Sequence, residues 1–72
     1  MTGPEAVARC LVKLSEGKSV KIWTDDIKEC IQVHPLDFYT VFYNGEELCR
    51  GINSGREYIR EKYQNAKEAF IL

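Results

Sequence analysis

Asn44-Gly45 is the dipeptide that most narrows what this chain can build. Both residues accept the positive φ that a two-residue hairpin turn demands, and aromatic and β-branched residues lead into it. It predicts strands over 38–43 and 46–52, with Tyr43 opposite Glu46, Val41 opposite Leu48 and Tyr39 opposite Arg50. Directly afterwards, Ser54-Gly55-Arg56-Glu57 has the spacing of a reciprocal helix cap. The helix it opens is expected over about 55–70, with Ile59, Tyr63, Ala66 and Phe70 on one face.

The N-terminal half repeats this grammar. Thr2-Gly3-Pro4-Glu5 has capping-box spacing, and proline is tolerated in a first helical turn. Val7, Cys10, Leu11 and Leu14 recur at three- and four-residue steps, and Gly17 is a natural stop, so a helix is expected over about 3–16. Ser19 to Trp23 alternates as a short strand, Val20 and Ile22 on one side and Lys21 and Trp23 on the other. Residues 25–34 admit two readings. Thr24 and Asp25-Asp26 suit a helix start, and Ile27, Cys30 and Ile31 fit helical spacing, whereas Val33 fits a strand better. The short helix is the expectation, ended by His34-Pro35.

Together these elements predict a single two-layer α+β domain, ordered helix, strand, short helix, two strands, helix. Its small, mainly antiparallel three-stranded sheet is packed by the N- and C-terminal helices. Seventy-two residues are near the lower limit for one core, so a large internal pocket is not expected, and a homodimer would be one way to bury more surface.

Alternation along the hairpin separates two faces. Tyr39, Val41, Tyr43, Leu48 and Ile52 carry more aliphatic surface and are expected to meet the helices. Phe38, Thr40, Phe42, Cys49 and Gly51 fall on the other side, where Phe38, Phe42 and Trp23 would form an exposed aromatic patch. The competing arrangement folds residues 25–34 over that patch. On the last helix, Arg56, Arg60 and Lys67 fall along one ridge beside Glu57, Glu61 and Glu68, a pattern that can orient a charged partner or simply face water. Val12 stands alone on the polar side of the first helix.

The residue inventory argues against most chemistry. Cys10, Cys30, Cys49 and His34 could assemble a zinc site only by converging from separate elements, because no Cys-x-x-Cys pair exists. His34 has no motif partner to orient it as a catalytic base, and the five glycines never gather into a phosphate loop. No enzyme activity, cofactor or metal is therefore expected. Ten basic against eleven acidic side chains give a net charge of −1, too balanced for nonspecific duplex binding and too weak for a nucleic-acid mimic. Three cysteines in odd number, no signal segment and no apolar run of membrane length point to a reduced cytoplasmic setting.

Binding to a larger protein is the function expected, by an inhibitor or adaptor of the kind phages and mobile elements encode, acting through steric occlusion. Trp23, Phe38 and Phe42 would be the anchors, and Arg56, Arg60 and Lys67 would set orientation and on-rate. The rival expectation is a single-stranded nucleic-acid binder that stacks bases on sheet aromatics beside Lys21 or Arg50.

Overall fold

The computed structural model describes residues 1–24, 28–51 and 54–72. In chain order these form α1 (Gly3–Ser15), β1 (Val20–Trp23), β2 (Glu29–Val33), β3 (Tyr39–Tyr43), β4 (Glu46–Gly51), α2 (Gly55–Tyr63) and β5 (Phe70–Ile71). The strands make one antiparallel sheet in the order β4-β3-β2-β1-β5. The α+β class is as expected, but the sheet has five strands rather than three.

Local signals explain α1. The Thr2 hydroxyl accepts the Glu5 N–H at 3.3 Å and donates to the Glu5 carboxylate at 3.0 Å. At the other end Gly17 takes φ +80°, the Gly17 N–H donates to the Leu14 carbonyl and the Lys18 N–H to the Lys13 carbonyl. This paired closure satisfies carbonyls that a helix end otherwise leaves without donors. Ala6, Val7, Cys10 and Leu14 face inward and share one core with Ile59 and Tyr63 of α2 and with Val20, Ile22, Ile31, Val33 and Val41 of the sheet. Both helices therefore cover the same side of the sheet.

The expected short helix is replaced by β2, with residues 25–27 outside the described region. Every residue of β2 pairs with β3, and Cys30 to Val33 also pair with β1. As a strand the segment completes the ladder between them and buries Ile31 and Val33 fully. A short helix here would leave both neighbouring edges open, so tertiary pairing overrides the local spacing.

The hairpin turn forms at the expected place, with Asn44 at φ +51° and Gly45 at φ +83°, and Tyr43 faces Glu46. Beyond Phe42–Glu47 the ladder slips. Val41 faces Cys49, Thr40 faces Arg50 and Tyr39 faces Gly51, so Leu48 is the extra residue of a bulge and the expected Val41–Leu48 and Tyr39–Arg50 pairs do not form. The face assignment also needs correction. Val41 is buried and Tyr39 half-buried, but Tyr43 and the bulged Leu48 are 46% and 63% exposed. Ile52 lies outside the described residues.

The start and end of α2 both depart from expectation. Ser54 sits at φ +61° and caps nothing with its side chain. Asp37, in the β2–β3 loop, does the capping. Its carboxylate accepts the Arg56 N–H at 2.9 Å and its main-chain oxygen accepts the Gly55 N–H at 2.8 Å. The helix stops at Tyr63, seven residues short of position 70. Gly3 donates to the Ala66 carbonyl, Ala69 to that of Met1, and Lys21 and Leu72 exchange main-chain hydrogen bonds, so Phe70–Ile71 pairs with Trp23–Ile22 as β5. The open edge of β1 thus captures a segment whose composition favours helix.

Candidate functional site

With both helices on one side, the other side of the sheet is left bare among the described residues, and the registers define what it displays. Phe70, Trp23, Cys30, Phe42 and Glu47 form one cross-strand row over all five strands. Lys21, Gln32, Thr40 and Arg50 form the next. Ser19, His34 and Phe38 lie beyond, at the end nearest the β2–β3 loop, and with Gln32, Thr40 and Arg50 they line a shallow cleft of about 260 Å³.

The aromatic rings are organised rather than scattered. Trp23 stacks on Phe70 with centroids 6.0 Å apart, and His34 stacks on Phe38 at 4.3 Å. The Lys21 ammonium lies 5.8 Å from the centre of the Phe42 ring, within the range of a cation–π attraction. The Leu36 N–H donates to His34 Nδ1 at 3.2 Å, which holds the imidazole against Phe38. Phe38 is the most exposed of these rings, at 42%.

Electrostatics on this face are sparse. Among the described residues of the two rows the charged groups are Lys21, Arg50 and Glu47. The bulge places Glu47 and Arg50 on one side of β4, so Arg50 Nε and Nη2 donate to the two Glu47 oxygens at 3.0 and 3.1 Å. Arg50 Nη1 is not used in this pair, and Lys21 makes no ion pair among the described residues. The Cys30 thiol, in the middle of the aromatic row, is pushed up by burial against the opposing pull of Lys21, so it stays neutral.

Trp23, Phe38 and Phe42 therefore gather on one surface. The expected cationic ridge does not form. Arg56 is half-buried and engaged by Asp37 at 3.0 Å and the Pro35 carbonyl at 3.1 Å, which makes it a brace for the β2–β3 loop. Arg60 is exposed on α2, and Lys67 is exposed but lies beyond the helix end. Sequence periodicity misses Phe70, which it places in a helix core, and the His34–Phe38 stack, whose partners sit on either side of a loop.

The thiols are distributed through the structure. Cys10 is buried in α1 with its pKa pushed up to about 11 by desolvation, Cys30 is on the bare face and Cys49 is exposed on β4. Among the described residues no three metal-ligating side chains converge. A shallow hollow of about 400 Å³ also runs along α1 between Ala8 and Glu16, around the exposed Val12. It carries no aromatic side chain. Among the described residues no helix is long and apolar enough to cross a membrane.

Compared with models of known families, with curated proteins and with solved structures, the chain matches none.

Proposed function

We propose that this domain is a protein-binding module that acts by covering a surface of a larger partner, as an inhibitor or adaptor, with the bare face of its sheet. The observation that carries the proposal is the aromatic row Phe70–Trp23–Cys30–Phe42, left uncovered by both helices. A contiguous apolar patch on a small domain marks a contact site, and aromatic anchors dominate binding energy at such sites. Trp23 and Phe42 are the central anchors, Phe38 and Phe70 extend them, and Lys21 and Arg50 take the orienting role expected of Arg56, Arg60 and Lys67. Arg60 and Lys67 belong to the helical side and fall outside this surface. Unpaired thiols suit a reduced cytoplasmic setting.

The test is a matched pair of captures from the native host, one with the wild-type domain and one with Phe42→Ala, both shown to be folded. Loss of a captured protein on substitution, a weakening of about 1–3 kcal/mol for an anchor, supports the reading. Equal capture by both removes Phe42 from it.

One observation favours a second reading. Lys21 and Arg50 alternate with stacked rings, as on sheets that hold single strands. That reading requires binding of labelled oligonucleotides that weakens steeply between two salt concentrations, and its absence eliminates it.

A further inference from the structure

The bare face has a symmetry that the sequence does not display. β2 is the middle strand of five, and the aromatic row places Trp23 one strand to one side of it and Phe42 one strand to the other. A two-fold axis lying in the face and running along β2 therefore sets Trp23 of one copy over Phe42 of the next, with Cys30 over Cys30 and Gln32 over Gln32. Lys21 falls over Thr40, and at the two edges Phe70 falls over Glu47. No like charges meet. An axis running across the strands through the second row sets Lys21 on Lys21 and Arg50 on Arg50, which electrostatics disfavours.

From this we infer that the free domain pairs with a second copy of itself through the bare face, about a two-fold axis along β2. The inference rests on the reading of that face as a docking surface. An isologous contact needs one patch complementary to itself, and the central Trp23–Cys30–Phe42 part of the row is. The area permits a weak contact. The extents of 27 × 26 × 19 Å bound any one face at roughly 700 Å². Two copies therefore cover less than about 1,400 Å², at or below the lower end of the roughly 1,200–2,000 Å² of stable interfaces, which fits a concentration-dependent dimer. Charge favours this occupant over a nucleic acid, since Glu47 already neutralises Arg50 and leaves Lys21 as the cation of the two rows that makes no ion pair among the described residues. A face paired in this way is closed to a larger partner, so self-association and partner binding compete.

Gln32 supplies the test, because it lies on the proposed axis, is only partly exposed and makes no side-chain hydrogen bond among the described residues. Sedimentation equilibrium over a range of concentrations should show a monomer–dimer equilibrium for the wild type. Gln32→Glu and Gln32→Lys each place two like charges face to face, and each should weaken dimerisation at least about tenfold. An equimolar mixture of the two variants should restore it, a rescue that only a contact of Gln32 with its own copy produces. A wild type that stays monomeric at every concentration overturns the inference, as does a dimer indifferent to both substitutions or unrescued by mixing. A monomer that still loses a captured partner through Phe42→Ala leaves the docking surface standing while the self-pairing falls.

Discussion

Asp37 carries the start of α2 from 18 residues away, and replacing it separates three energies. The carboxylate takes the Arg56 N–H at 2.9 Å and the guanidinium at 3.0 Å, and the residue sits at φ +77°. Asp37→Ala removes the cap, worth about 1 kcal/mol. It also forces alanine into the left-handed region, at about 1–2 kcal/mol. The ion pair adds only about half a kcal/mol, since both side chains are a third exposed. The total is about 3 kcal/mol. Asp37→Gly avoids the backbone cost and should lose about half that amount. Asp37→Asn keeps an acceptor and tolerates the conformation, so it should lose less than about 1 kcal/mol.

Acid provides a second reading of the same contact. Burial pushes the Asp37 carboxyl up, but the Arg56 amide, guanidinium and charge outweigh it, and the pKa lies below the ordinary value of 3.8. A depressed carboxyl adds stability above its unfolded pKa and loses it as pH falls through the folded one. Urea titrations followed by circular dichroism from pH 7 down to below 3.8 should therefore show the wild type and Asp37→Asn converging at the acid end. Losses within about half a kcal/mol for all three variants, or alanine milder than asparagine, would refute the assignment of the cap.

Three further outcomes follow from the packing. Gly3→Ala should destabilise by more than about 2 kcal/mol in the same titration, because a Cβ there lies 1.9 Å from the Tyr63 carbonyl oxygen and 2.9 Å from the Ala66 side chain. Tyr63→Phe should cost about 1 kcal/mol, the loss of a buried hydroxyl that donates to the Ile22 carbonyl at 3.2 Å, with backbone amide shifts confined to β1 and its neighbours. Deleting Leu48 should cost less than about 1 kcal/mol, since the bulged leucine has no cross-strand partner and its removal leaves Glu47 opposite Phe42 and Arg50 opposite Thr40; cross-strand NMR contacts will report the register.

The elements that could be read from the sequence are those whose instructions are local. Asn44-Gly45 shapes its own turn, and Thr2 and Gly17 close the two ends of α1 with main-chain groups a few residues away. The misread elements take their instructions from distant strands. Cys30 to Val33 are extended because β1 and β3 flank them, and residues 64–70 abandon helix because Met1, Gly3 and the edge of β1 claim their main chain. Ser54 and Glu57 have the spacing of a cap, yet Asp37 reaches the helix start first from across the domain.

The candidate site follows the same division. Trp23 and Phe42 declare their face through alternation along their own strands, whereas Phe70 joins them only because β5 pairs Phe70 with Trp23. That pairing extends the aromatic row to the edge of the sheet. The same captured segment that shortens α2 therefore enlarges the face on which the proposed function rests. Detaching it offers a direct link between fold and binding. Phe70→Ala should weaken association less than Phe42→Ala, because Phe70 lies at the edge of the row and Phe42 nearer its centre. A larger effect at Phe70 would move the centre of the contact off β2 and toward the β5 edge.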